Sequence, residues 1–199
     1  MKKTIFSVLP IAALAALTFL PAADPLPIGS SLPRSEVKMK DISGKEVSFK
    51  DATKKNGLLV MFSCNTCPIV QAYESRTVEA SKKALSSEVG VILLNSNEAS
   101  RSKGDSYEDM KAYAGKLGYN FHYVVDQNSV MADAFGANRT PECFLFDKTG
   151  KLVYHGAIDD NPDGGEKPYL TTAIANVVKG EKIDPETTRS VGCTIKRVK

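Results

Sequence analysis

The sequence predicts an α/β fold, with a central mixed β-sheet and helices on both of its faces. Two continuous apolar runs, at residues 57–62 and 89–94, have the length and composition of strands buried on both faces of a parallel sheet. An amphipathic helical pattern separates them, which makes a β-α-β unit. Two strands nearer the C-terminus are joined by a short Gly-containing turn, so we expect them to be antiparallel.

The first 23 residues differ from the rest of the chain. Lys2 and Lys3 precede an uncharged segment whose densest apolar part is residues 11–20, and small residues follow it. This order is typical of a secretory signal peptide cleaved after Ala22 or Ala23. We therefore expect export to the periplasm, where thiols meet oxidising conditions. The alternative is an uncleaved segment that anchors the protein in the membrane, facing the periplasm.

The remaining chain is predicted to be one domain, residues 34–199, after an extended Pro-rich lead-in at residues 24–33. Residues 37–40 and 46–49 flank the turn sequence DISG, which indicates an N-terminal β-hairpin. Apolar spacing predicts the first core helix through five positions: Val70, Tyr73, Thr77, Ala80 and Ala84.

The second half of the domain continues the alternation of strands and helices. The last helix is the clearest, because its apolar residues recur three and four positions apart and Gly180 follows as a stop signal. In chain order we predict a helix at 107–117, a strand at 121–125, a helix at 129–135, strands at 142–146 and 151–155, and a final helix around 170–178.

Composition excludes some kinds of partner and scaffold. The net charge of +3 comes from interspersed lysines and acids, without the basic stripe that a nucleic-acid-binding surface requires, so we expect no nucleic-acid partner. Four cysteines are too few for a disulfide-dense scaffold in a chain of 199 residues. A chemical role for them is therefore favoured.

The segment Ser63-Cys64-Asn65-Thr66-Cys67-Pro68 carries the chemistry. It lies between a buried strand and a helix, where unpaired N–H groups and the helix dipole stabilise a thiolate. We expect Cys64 to be the exposed attacking thiol and Cys67 to resolve the mixed disulfide. Pro68 disfavours helical geometry at Cys67 and places the start of the helix at the proline. Asn65 and Thr66, small and polar, should leave the sulfurs accessible.

Two other interpretations of this Cys-x-x-Cys pair are weaker. A structural zinc site needs four ligands, usually from two such pairs, and the chain has a single pair. A purely structural disulfide would close so short a loop that it would stabilise the fold little. Redox chemistry accounts for the motif best.

The motif resembles that of thioredoxin-like redoxins of the AhpC/TSA (alkyl hydroperoxide reductase and thiol-specific antioxidant) group. The likeness extends to Thr140-Pro141-Glu142 before a strand and to a C-terminal segment, VGCTIK, that contains Cys193. It implies a thioredoxin-like fold, with Cys64 as nucleophile, Cys67 as resolving cysteine and Pro141 as a cis-proline beside them. Without the resemblance, Pro141 is a trans proline that opens an edge strand.

Departures from this group leave two alternative functions open. The peroxidatic frame P-x-x-x-T-x-x-C is absent around Cys64 and Cys67, which argues against a peroxide-reducing redoxin. The second alternative is a copper-delivering metallochaperone with Cys64, Cys67 and His155 as soft ligands. Its relatives carry a longer cysteine spacing, which argues against this assignment too.

The other two cysteines have less certain roles. Cys143 lies two residues after Pro141 and hence on the same strand face, where it approaches the site or is a small buried hydrophobe. Cys193 lies in a polar tail. We favour a Cys64–Cys67 pair and leave open a Cys143–Cys193 disulfide or a relay with the motif. Glu98 follows a core strand and is a weak candidate for proton transfer.

The function predicted from sequence is an exported thiol–disulfide oxidoreductase. It requires no cofactor and no metal beyond the cysteines, and its partners are disulfide or dithiol proteins, with peroxide as the alternative substrate. A membrane is a partner only if the N-terminal segment is uncleaved.

Overall fold

The structure, a computed structural model, describes residues 24–198. The predicted signal peptide lies outside these residues, and within them no helix is long and apolar enough to cross a membrane. The strands are β1 (Met39–Lys40), β2 (Glu46–Val47), β3 (Leu58–Ser63), β4 (Gly90–Asn95), β5 (His122–Val125), β6 (Arg139–Thr140), β7 (Glu142–Phe146), β8 (Leu152–Gly156) and β9 (Cys193–Thr194). The helices are α1 (Phe49–Ala52), α2 (Pro68–Ala72), α3 (Glu74–Ser86), α4 (Tyr107–Leu117), α5 (Val130–Phe135) and α6 (Tyr169–Lys179), with 3-10 turns at Glu98–Lys103 and Gln127–Ser129.

Five strands form the central sheet in the order β5-β4-β3-β7-β8. β3 is parallel to β4, and β4 is parallel to β5, whereas β7 runs antiparallel to both β3 and β8. The predicted mixed sheet is therefore confirmed. β3 is the middle strand of the sheet, and every residue in it is buried. Its C-terminal end therefore lies at the centre of one edge of the sheet, between the ends of its two neighbours.

Helices cover both faces of this sheet. Successive side chains of a strand point to opposite faces, and on β3 Leu59 and Met61 pack into one apolar cluster while Val60 and Phe62 pack into the other. The first cluster includes residues of α3, α4 and α6, and the second includes residues of α1 and α5. The predicted thioredoxin-like α/β class is thus confirmed.

The N-terminal hairpin is shorter than predicted. β1 and β2 are two residues each, with Met39 opposite Val47. The predicted strand through Phe49 is wrong at its end, because Ser48 is instead the N-cap of α1. Its hydroxyl accepts from the Asp51 N–H while the Asp51 carboxylate accepts from the Ser48 N–H. Such a reciprocal capping box starts a helix.

The predicted first core helix is divided in two. α2 and α3 meet at Tyr73, whose φ of −94° and ψ of 0° interrupt regular helix. The apolar face survives the break, since all five predicted positions, from Val70 to Ala84, are buried. The pattern therefore predicted the burial of this segment better than its backbone.

The C-terminal tail crosses the end of the sheet where β3 stops. Its strand β9 pairs antiparallel with β6, which places Cys193 opposite Thr140. Gly192 lies so close to the chain that a Cβ there would be 2.1 Å from the Thr140 carbonyl oxygen. This pairing was not predicted, and it determines the geometry of the site.

Candidate active site

The Cys-x-x-Cys segment occupies the predicted strand-to-helix junction. β3 ends at Ser63, which is paired with Asn95 of β4, and α2 begins at Pro68. Cys67 is the N-cap residue, with extended backbone at φ −78° and ψ 121°. Proline is favourable at the first helical position and unfavourable for helical geometry in the residue before it. The predicted helix start is therefore confirmed.

The disulfide of this site joins Cys67 to Cys193, with their Cα atoms 6.1 Å apart. Cys64 is a free thiol. The favoured Cys64–Cys67 pairing is therefore wrong for this form of the protein, as is a Cys143–Cys193 disulfide. The reason is the pairing of β9 with β6, which brings a cysteine distant in sequence against the start of α2.

The Cys64 thiol is enclosed, not exposed. The residue has 0% relative exposure, and its Sγ lies 3.2 Å from the Thr140 hydroxyl in a hydrogen bond. Burial raises the pKa of this thiol, the negative charge of Asp105 adds to the increase, and the Thr140 hydroxyl opposes it. The expected exposed, acidic thiol is thus wrong here, because loss of hydration outweighs the donors at the start of a five-residue helix.

Thr140, the residue before Pro141, lies against both sulfurs of the motif. The Thr140–Pro141 peptide bond is cis, as the resemblance implied. Thr140 is fully buried, and its carbonyl oxygen lies 3.5 Å from the Cys67 Sγ. One residue therefore contacts Cys64 through its hydroxyl, Cys67 through its carbonyl group and Cys193 through the β6–β9 pairing.

A buried carboxylate, Asp105, holds the turn between the two cysteines. Its Oδ1 accepts from the Asn65 N–H at 2.8 Å and from the Asn95 side-chain amide at 2.8 Å. Its Oδ2 accepts from the Thr66 hydroxyl at 2.9 Å and from the Asn97 amide at 3.2 Å. Asp105 has 0% relative exposure, so these donors provide the hydrogen bonds that a buried charge requires.

Asn65 extends this network into the core. Its Oδ1 accepts from the hydroxyl of the buried Tyr123 at 2.9 Å, and its Nδ2 donates to the Gly104 carbonyl. Thr66 is exposed while Asn65 is buried. The two residues thus anchor the turn, and the prediction that both leave the sulfurs accessible is wrong.

Sequence reasoning did not find Asp105. It lies in a polar loop ahead of α4, without a motif around it. The polar run Asn95-Ser96-Asn97 at the end of a buried strand was a partial signal, because buried amides need partners. Asp105 can be recognised as the partner of these amides only in the folded chain, where its loop lies against the end of β4.

Cys143 belongs to the core of the domain. It lies in β7 opposite Met61, is fully buried and packs in the cluster beneath α3 and α6. Burial raises the pKa of its thiol strongly. The structure therefore does not bring Cys143 together with the disulfide, and it fits the description of a small buried hydrophobe.

The ligands of the copper hypothesis are not assembled. His155 hydrogen-bonds through Nε2 to Glu142 at 2.7 Å and stacks on Phe144, while Cys67 is held in its disulfide. Within residues 24–198 no group of three or more histidine, cysteine or acidic side chains could hold a metal ion. Glu98 accepts from the Asn128 N–H and pairs with Arg101 at 3.5 Å, so it is engaged with other partners.

Comparison with known proteins places most of the chain in one family. The redoxin family profile matches residues 27–174, which is most of the chain. The chain belongs to the redoxin family. The match ends before Cys193, so the tail that closes the site lies outside the matched region. No curated protein matches the sequence.

Solved structures share the fold of this chain. An uncharacterized conserved protein from Geobacillus kaustophilus is 29% identical, with a TM-score of 0.81, over 90% of this chain and 97% of that chain. A hypothetical protein from Sinorhizobium meliloti is 28% identical, with a TM-score of 0.80, over 88% and 97%. A secreted disulfide oxidoreductase from Mycobacterium tuberculosis shares the fold at 15% identity, with a TM-score of 0.55, over 71% and 96%.

Proposed function

We propose that this redoxin is an exported thiol–disulfide oxidoreductase whose reaction is centred on Cys67. The observation that carries the proposal is the disulfide on Cys67 at the start of α2, with the Cys64 thiol packed in the same small cluster. A disulfide with a third cysteine beside it has what thiol–disulfide exchange requires: a sulfur to attack, an attacking thiol and a leaving thiol.

The Thr140–Pro141 segment supports the same chemistry. Thr140 contacts both Cys64 and Cys67, so it holds the two sulfurs in one place while they exchange partners. Asp105 does the same for the turn between them through Asn65 and Thr66. The scaffold is therefore rigid around the sulfurs, which favours repeated formation and cleavage of the same bonds.

In this proposal Cys64 is the internal nucleophile and Cys67 is the sulfur it attacks. The buried Cys64 thiol must first lose its proton, and its raised pKa keeps the resting form protonated. Direct reduction of peroxide requires an accessible thiolate in contact with solvent, which Cys64 in this form is not. Dithiol and disulfide proteins are therefore the favoured substrates.

The test is catalysis of disulfide exchange by the mature protein. Reduction of insulin by dithiothreitol reports turnover, and Cys67→Ser should abolish the protein-dependent rate. Cys143→Ala is the matched control, because it removes a cysteine outside the cluster, and it should keep the rate. Equal turnover by Cys67→Ser and the unmodified protein would refute the proposal.

Export rests on the N-terminal segment, residues 1–23. Expression of the full chain in a bacterium, followed by fractionation and N-terminal sequencing, tests it. We expect a periplasmic protein that starts at Ala23 or Asp24. A full-length chain confined to the cytoplasm would contradict it.

A further inference from the structure

We propose that Cys193 is a third redox cysteine, which passes the disulfide between the buried Cys64/Cys67 pair and the partner protein. The proposal rests on the thiol–disulfide exchange proposed above and adds the residue through which partners react. Cys67 is common to two alternative disulfides, one with Cys193 and one with Cys64.

The three cysteines of the site differ in their access to solvent. Cys64 and Cys67 have relative exposures of 0% and 2%, whereas Cys193 is partly exposed at the edge of the same cluster. Exchange requires a thiolate to reach a sulfur in line with the disulfide. Of these three cysteines, Cys193 is the one whose surface a protein partner reaches first.

The C-terminal tail is held in place without the disulfide. The Ile195 N–H donates to the Asn138 carbonyl at 3.0 Å, and the Lys196 N–H donates to the Asn97 side chain at 2.9 Å. Arg197 binds Asp133 at 2.7 Å, and Ile195 is buried in the core. Because these contacts do not involve sulfur, Cys193 stays beside Cys67 when the bond between them is broken.

A positively charged side chain lies beside the backbone of the tail. Arg139 is the residue opposite Thr194, and its guanidinium donates to the Gly192 carbonyl at 3.2 Å, one residue before Cys193. A neighbouring guanidinium favours the thiolate form of a cysteine. The positive charge of Arg139 therefore lies next to the backbone that carries Cys193, on the side from which partners approach.

The partner exchanges disulfides with Cys193 in two steps. A partner thiolate attacks the Cys193 sulfur, the Cys67 thiolate leaves, and a mixed disulfide with the partner forms. The partner's second thiolate then attacks the partner sulfur of this bond, so that the partner is oxidised by two electrons and Cys67 and Cys193 take up two protons. In the internal step the Cys64 thiolate attacks Cys67 of the Cys67–Cys193 bond, which moves the disulfide inward to Cys64–Cys67 and releases Cys193. The reverse attack, by the Cys193 thiolate on Cys67, releases Cys64 and restores the bond with which the partner reacts. In each direction the released thiolate takes the proton that the attacking thiol lost.

Trapping in Cys67→Ser identifies the cysteine that reacts first. This variant leaves Cys64, Cys143 and Cys193 as free thiols, and glutathione disulfide is the probe. We expect glutathionylation at Cys193 at least about tenfold faster than at Cys64, since the reaction follows exposure. Cys143 reports folding within the same sample, because it stays unmodified only while the core is intact. Faster modification of Cys64 in a sample with protected Cys143 would overturn the proposal.

The oxidised protein provides the second measurement. Reduced glutathione should form its mixed disulfide on Cys193 in the unmodified protein, as mapped by mass spectrometry after acid quenching. Cys193→Ser should react at least about tenfold more slowly, because both sulfurs of its Cys64–Cys67 bond are buried. An unchanged rate in Cys193→Ser, with insulin reduction still lost in Cys67→Ser, would overturn the relay and leave the proposed function standing. Retained turnover in Cys67→Ser would remove both.

Discussion

Reduction of the Cys67–Cys193 disulfide should remove a large part of the stability of the fold. The two residues are separated by 126 positions in the sequence. The chain-entropy relation for a closed loop of this size gives about 5 kcal/mol, and native disulfides commonly contribute about 2–4 kcal/mol. We therefore expect a loss of about 2–5 kcal/mol, in a domain whose whole free energy of unfolding is on the order of 5–15 kcal/mol.

Urea unfolding with and without dithiothreitol measures this loss. With a urea m-value of about 2 kcal/mol/M, the midpoint should fall by about 1–2.5 M on reduction. Cys143→Ala should show the same shift from its own starting point, because Cys143 is outside the disulfide. Cys193→Ser should show almost no shift, since its remaining Cys64–Cys67 bond would close a loop too short to stabilise the fold.

Two results would refute this reasoning. A midpoint that does not move when the unmodified protein is reduced would mean that the long loop is not closed by a disulfide. A full shift retained in Cys193→Ser would mean that another pair of cysteines provides the stabilisation.

Three further predictions concern the surroundings of the sulfurs. Asp105→Asn should reduce the free energy of unfolding in urea by about 1–3 kcal/mol, because an amide nitrogen replaces one acceptor oxygen among four donors. The same variant should lower the pKa of the Cys64 thiol, followed by ultraviolet absorbance of the thiolate, since the Asp105 charge raises this pKa. An unchanged or higher pKa would contradict this. The free energy of unfolding should fall as the pH rises above about 8.5, the ordinary pKa of a thiol. Burial raises the pKa of Cys64 and Cys143 in the folded state, so the unfolded chain loses these protons first. In urea unfolding at several pH values, the free energy should fall less steeply with pH for Cys143→Ala, and an equally steep fall would show that the buried Cys143 thiol does not contribute. Gly192→Ala should decrease the fraction of Cys67 that is joined to Cys193 in a glutathione buffer, because its Cβ would meet the Thr140 carbonyl oxygen at 2.1 Å and displace β9. Gly115→Ala, whose Cβ would meet nothing within 4 Å, is the control. A Cys67–Cys193 fraction equal to that of the unmodified protein would show that β9 is not needed.

Much of the fold could be predicted from residue patterns that act locally. The buried runs at β3 and β4 needed no partner to be recognised, because a continuous apolar run is favourable only where both faces are covered. α4 has its predicted bounds, since Ser106 and Asp109 form a capping box at its start and Gly118 ends it in a left-handed conformation.

The site was less predictable because its contacts are distant in sequence. The position of Cys67 at a helix start followed from Pro68 alone. Its pairing with Cys193 depends on β6 and β9, which are two residues each and carry too little pattern to identify. The burial of Cys64 likewise depends on Thr140, which a local reading of the motif does not include.

The expected low pKa of Cys64 failed for a related reason. A helix N-terminus favours a thiolate only as far as the sulfur remains hydrated or charge-paired. Here the sulfur is buried against Thr140, and the negative charge of Asp105 acts in the opposite direction. Both effects depend on tertiary structure.

The most direct test of the central claim is a disulfide map at redox equilibrium. The unmodified protein is incubated in glutathione buffers of increasing oxidation, alkylated, and mapped by mass spectrometry. If exchange is centred on Cys67, every intramolecular disulfide contains Cys67, joined to Cys193 or to Cys64, and Cys143 stays reduced throughout. A Cys64–Cys193 bond, or a Cys67 thiol that stays reduced while other pairs oxidise, would contradict the account.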